Sequence, residues 1–185
     1  MRAPRFQIVV LTALAVCGAA AAQPREVLII RHAEKPADDS IHLSPEGQKR
    51  AEALPRLFDP SRPDPFPKPD FIFATKESAR SNRPVETVTP LAKALNLDVN
   101  AHFKNEEYPK LADELLTNPR YAGKVVLVCW HHGTIPELAK KLKARDVPEW
   151  KPSAFDRVWV IAYKDGAATF QRKHQALMPG DKAED

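Results

Sequence analysis

Lys124-Val125-Val126-Leu127-Val128-Cys129-Trp130-His131-His132-Gly133-Thr134-Ile135-Pro136-Glu137 carries two patterns in succession. Its apolar run is rich in β-branched residues and does not alternate with polar ones, so it reads as a strand buried on both faces. Thr134 and Glu137 then stand at capping-box spacing, which predicts a helix from here to about Arg145. A buried strand feeding a helix is the repeating unit of an α/β fold. Cys129 lies inside the strand and reads as a small buried apolar residue, not a reactive thiol.

Outward from this stretch the pattern recurs. Val27-Leu28-Ile29-Ile30 reads as a buried strand ending at Arg31-His32, followed by a polar loop from Ala33 to Leu43. Ser44-Pro45-Glu46 opens a helix, with Ala51, Leu54 and Phe58 on one face and Pro55 blurring its end. Five prolines between Asp59 and Asp70 make a stiff connector, too short to separate two domains. Phe71 to Ala74 is a second buried strand, and a helix runs from Pro84 to about Leu95, bent near Pro90. Leu97 to Ala101 reads as a short strand and Tyr108 to Leu116 as a helix. Val158 to Tyr163 and Ala168 to His174 flank Asp165-Gly166, a hairpin signal. The expected fold is an α/β three-layer sandwich, with a mostly parallel central sheet, helices on both faces and an antiparallel C-terminal edge hairpin. In such sheets ligands bind beyond the carboxyl ends of the strands. Two strands end in histidines, and parallel pairing would bring those ends together.

The chain has 185 residues, 43% of them hydrophobic and 28% charged, which excludes wholesale disorder. Residues 1–22 read as a cleaved signal peptide and 23–185 as one domain. Arg2 and Arg5 precede an uncharged run, Ile8 to Ala22, that closes on four alanines. Cutting after Ala22 would place the mature chain in the periplasm or outside the cell. The run is about 15 residues, short of the roughly 20 of a spanning helix, so no stable membrane span is expected. A lipid anchor on Cys17 is the lesser alternative, because Val16 is bulkier than a lipobox position normally allows. Losing Arg2 and Arg5 lowers the formal charge from +4 to +2. No dense Lys/Arg block with interleaved aromatics is present, so nucleic acid is not an expected partner.

Strand-end histidines beside several arginines suit phosphoryl chemistry. Arginines bind phosphate oxygens bidentately, and a helix N-terminus can add N–H groups. A charge pair about 4 Å apart at an effective dielectric of 20 is worth roughly 4 kcal/mol before desolvation. A neutral imidazole can attack phosphorus, and nearby arginine charges disfavour its protonation. The leaving oxygen then needs a proton, usually from a carboxylic acid.

Ile30-Arg31-His32-Ala33-Glu34 resembles the opening motif of the histidine phosphatase superfamily (phosphoglycerate mutase-like), more often Arg-His-Gly. Leu43 to Ala51 is similar to its following helix, Ala74-Thr75 through Arg83-Pro84-Val85-Glu86-Thr87 to its second-arginine segment, and Val128 to His131 to its second-histidine strand. The resemblance implies a metal-independent phosphomonoester hydrolase with no cofactor, acting on a small phosphorylated substrate. His32 would be the nucleophile, and Arg31, Arg83 and His131 would hold phosphoryl oxygens, with His132 adding a donor. Arg83 is preferred to Arg80 because it lies four residues before Thr87. Glu107 is the expected proton donor, with Glu106 and Glu34 as alternatives. A catalytically weak phosphate-binding protein is the second reading. A metal site on His131, His132 and His42 is a third, which no ligand spacing supports. His42, His102 and His174 match no motif and read as surface residues.

Overall fold

The computed structural model describes residues 23–38 and 40–181. The signal peptide and the Cys17 alternative therefore fall outside the described residues. In chain order the elements are β1 (Glu26–Arg31), α1 (Pro45–Ala53), β2 (Phe71–Ala74), α2 (Arg83–Leu95), β3 (Val99–Asn100), α3 (Tyr108–Thr117), β4 (Val125–Trp130), α4 (Ile135–Lys141), β5 (Arg157–Lys164) and β6 (Ala167–His174).

They form one six-stranded sheet in the order β3-β2-β4-β1-β5-β6. The first four are mutually parallel, while β5 runs antiparallel to β1 and β6 antiparallel to β5. Alternation along each strand sorts the core into two layers. Val27, Ile29, Val126 and Val128 pack with α3 and α4 through Leu111, Leu115, Ile135 and Leu138. Leu28, Ile30, Leu127 and Cys129 pack on the other face with Leu54 and Leu57 and with Val88 and Leu91 of α2. The architecture is the three-layer sandwich expected, with the hairpin at one edge.

Local chemistry sets the element ends. The Ser44 hydroxyl accepts from Gly47 N at 3.1 Å and starts α1. Pro55 lacks the N–H that an α-helix would need there, so the chain tightens into a 3₁₀ turn over Leu54–Phe58. The proline-rich connector forms neither helix nor strand, and Phe66 pins it by inserting into the core. The hairpin loop is Asp165-Gly166 alone, both at positive φ, as a type I′ turn requires. Two expectations at α4 need correction. Thr134 makes no side-chain cap: its backbone is helical rather than extended, and its hydroxyl donates to Asn105 Oδ1 at 2.7 Å. The helix also stops at Lys141, short of Arg145. Lys143 turns left-handed and lets the Ala144 amide bond back to Ala139 O at 3.0 Å.

Gly47 is held by a close approach. A Cβ on it would overlap the Glu34 carbonyl oxygen and lie 3.0 Å from the Glu34 nitrogen. Gly47→Ala must push α1 away from the segment just after His32. The expected cost is about 1–3 kcal/mol of stability, read as a lower urea midpoint with an unchanged slope.

Candidate active site

The parallel register pairs Ile30 with Cys129 and Arg31 with Trp130, so the next residues, His32 and His131, leave the sheet side by side. The His32 amide donates to Trp130 O at 3.1 Å, and the two imidazole rings meet edge to face with centroids 5.2 Å apart. Arg31, His32, Arg83, His131 and His132 all line one cavity of about 700 Å³ at the carboxyl ends of the strands. That volume lies within the range of small-molecule sites.

His32 is only 2% exposed and sits at the cavity's inner wall. Its Nδ1 lies 2.7 Å from the Ala33 carbonyl oxygen, an acceptor, so Nδ1 carries the proton and Nε2 keeps the lone pair. Burial is the first cause that pulls its pKa down, to about 3, with Arg31, His131 and Arg83 adding to it. The sequence reading credited the arginines with keeping this ring neutral; desolvation does more. His131 falls to about 4, again through burial first and then Arg83, His132 and Arg31. Its Nε2 lies 3.2 Å from the Thr75 hydroxyl. His132 is shifted down by burial and by Arg31.

Arg31 is also 2% exposed. One Nη donates to the carbonyls of Pro152 and Ala154, and the guanidinium lies over the Phe155 ring at 3.8 Å. Arg83 opens α2 and donates to Ser40 O at 2.7 Å. The Nε atoms of both arginines are buried with no partner. Buried donors left unpaired are costly, which suits a site built to meet an anion. Arg80 lines the same cavity but is exposed. One helical turn past Arg83, the Thr87 hydroxyl donates to Arg83 O at 2.8 Å and accepts the Ala33 amide at 2.9 Å. It thereby ties α2 to the residue after His32.

The carboxylates are arranged differently from expectation. Glu107 does not line the cavity. It accepts from the Lys104 amide at 3.0 Å and from Lys110 Nζ at 2.6 Å. Those bonds hold its pKa below the ordinary value, the wrong direction for a proton donor. Glu34 faces away and pairs with Arg50 at 2.7 Å. The cavity's carboxylates are Glu106 and Glu77, the second of which the sequence reading missed. Glu77 belongs to an irregular loop that no periodicity marks. The helix-start amides are also engaged, since Thr134 N and Ile135 N both donate to His131 O. They fasten His131 and are not free for a ligand. His42 bonds to Glu86 outside the cavity and His102 is exposed, while His174 is half-buried beside Asp156. Among the described residues no group of three or more His, Cys, Asp or Glu is placed to hold a metal ion.

The lowered histidine pKa values have a consequence for stability. Between the ordinary value near 6.5 and the folded values near 3 and 4, the unfolded chain binds more protons. Stability is therefore expected to fall as pH drops below about 6.5. Urea unfolding at pH 7.5 and pH 5.0 reads this loss. His32→Asn should flatten the difference, and an undiminished slope in that variant would contradict the assignment.

No protein-family model and no curated sequence matches the chain. Solved structures do. The protein histidine phosphatase SixA complexed with tungstate is 16% identical with a TM-score of 0.57, over 81% of this chain and 97% of its own. A phosphoglycerate mutase from Bacillus anthracis is 16% identical with a TM-score of 0.50, over 81% and 93%. A phosphoserine phosphatase from Entamoeba histolytica in complex with phosphoserine is 10% identical with a TM-score of 0.50, over 83% and 98%. The chain thus has the fold that these histidine phosphatase superfamily members share. Among the described residues, no helix is long and apolar enough to cross a membrane.

Proposed function

We propose that this chain is a member of the histidine phosphatase superfamily that hydrolyses phosphomonoesters through a phosphohistidine at His32. The observation that carries the reading is the set state of His32. Its Nδ1 proton is committed to Ala33 O, which leaves Nε2 with the lone pair in a cavity it shares with Arg31 and Arg83, whose buried Nε atoms lack partners. The phosphoryl oxygens would meet Arg31, Arg83, His131 and His132. Nε2 attacks phosphorus as the ester P–O bond breaks, and the departing alkoxide takes a proton from Glu106. Water then attacks the phosphohistidine, Glu106 removes its proton, and orthophosphate leaves. The arginines supply the positive charge that stabilises the transferring group, so no metal ion enters the scheme. The signal-like residues 1–22 support a periplasmic or secreted site of action.

The purified protein is expected to hydrolyse p-nitrophenyl phosphate with and without chelator. Glu106→Gln should lower turnover by about 10²-fold, the scale of one general acid–base group. The loss should shrink for leaving groups that need no proton. Phosphate binding without turnover would mark the protein as a binder. Loss of turnover on chelation would sink the metal-free scheme.

A further inference from the structure

The cavity holds far more positive charge than one phosphoryl group needs. Arg31, Lys35, Lys76, Arg80, Arg83 and Lys104 line it against two carboxylates, Glu77 and Glu106. With the histidines neutral, the lining carries four net positive charges. The whole sequence carries a formal +4, and +2 without Arg2 and Arg5, so the charges outside this cavity carry no basic surplus. A phosphomonoester brings at most two negative charges.

The cations form two sets. Arg31 and Arg83 sit against the histidines, with buried Nε atoms that lack partners. Lys35, Lys76, Arg80 and Lys104 are exposed, and they come from three loops that follow β1, β2 and β3. None of these four forms a salt bridge among the described residues. Elsewhere lysines do pair with carboxylates, as Lys110 with Glu107 and Lys140 with Glu137. Four like charges converging on a cavity with only two carboxylates in its lining repel one another, a cost that an anionic ligand would relieve.

We propose, building on the phosphatase reading, that the substrate is a small phosphomonoester bearing a second anionic group, a phosphate or a carboxylate. Lys35, Lys76, Arg80 and Lys104 would hold that group while the inner residues hold the scissile phosphoryl. The cavity volume favours a small molecule over a phosphoprotein segment.

The test compares matched pairs on the purified protein: fructose 1,6-bisphosphate with fructose 6-phosphate, and 3-phosphoglycerate with glycerol 3-phosphate. The doubly anionic member of at least one pair is expected to have a kcat/KM about tenfold higher or more, beyond the statistical factor of about two for the bisphosphate. Which pair responds tells phosphate from carboxylate. The triple variant Lys35→Gln, Lys76→Gln, Lys104→Gln should bring that ratio to within about twofold, while p-nitrophenyl phosphate turnover changes less than about threefold. Flat ratios in the wild type, with p-nitrophenyl phosphate hydrolysed, overturn this inference and leave the phosphatase reading standing. No turnover of any ester defeats both. An equal loss on singly and doubly anionic esters in the triple variant means the lysines only steer anions, and overturns recognition. A phosphoserine peptide cleaved faster than every doubly anionic ester overturns the small-molecule class.

Discussion

His32→Ala is expected to abolish turnover, lowering kcat/KM for p-nitrophenyl phosphate by at least about 10³-fold, or roughly 4 kcal/mol of transition-state stabilisation. The reason is specific to the ring's state. Its Nδ1 proton is committed to Ala33 O, which leaves Nε2 with the lone pair at the inner wall of the cavity. The neighbouring His131 has its Nε2 beside the Thr75 hydroxyl and cannot substitute without breaking that contact. A second readout separates nucleophile from phosphate ligand. Wild-type protein quenched during turnover should carry an acid-labile, base-stable phosphoryl group, and the variant should carry none. The variant should still fold, because the ring is held neutral and unpaired with any carboxylate. A labelled His32→Ala protein would move the covalent step to another residue.

Arg50→Ala is the substitution expected to cost most stability. Arg50 is 5% exposed and meets two carboxylates at once. Its Nε and one Nη reach Glu34 at 2.8 and 2.7 Å, and its two Nη atoms reach Asp181 at 2.9 and 2.8 Å. The Asp181 carboxylate also accepts the amides of Leu177 and Met178. Removing the guanidinium leaves Glu34 and Asp181 with uncompensated charge. The expected loss is about 3–5 kcal/mol, a drop of roughly 10 °C in Tm for a chain of this size. The sign of its pH dependence can be stated too. Burial opposes ionisation of Asp181, but Arg50 and the two amides outweigh it and lower its pKa. This stabilisation is therefore present above the ordinary carboxylate range and lost as pH falls through the folded value. In Arg50→Ala that acid-sensitive component should shrink to what the Leu177 and Met178 amides still supply. A variant as stable as wild type would refute the clamp.

The sheet could be read from sequence because its strands are short apolar runs that need no tertiary information. Val27 to Ile30 and Val125 to Trp130 announce burial on both faces, and the histidines that follow them meet at one cavity. The spacing from Thr87 that singled out Arg83 has a structural counterpart: the Thr87 hydroxyl couples Arg83 O to the Ala33 amide, while Arg80 lines the same cavity from an exposed position. The carboxylates were not legible. Glu106 and Glu107 are adjacent in a single 3₁₀ turn, so which one faces the cavity depends on a rotation of about 120° per residue. Glu107 was then claimed by Lys110 and the Lys104 amide, contacts too local to distinguish from a site by pattern alone. Glu34, in a loop, is claimed by Arg50 of α1, with which Asp181 from far along the chain pairs in turn. The capping box at Thr134 did not form: its backbone is already helical and its hydroxyl is drawn to Asn105, 29 residues away.

β1 is the first strand to be made, yet it lies in the middle of the sheet between β4 and β5, and Arg50 waits for a residue 131 positions further on. Until those later segments are made, β1 has one or both edges bare and Arg50 lacks its second carboxylate. The strands and the carboxylate that close around β1 and Arg50 thus come from segments far along the chain.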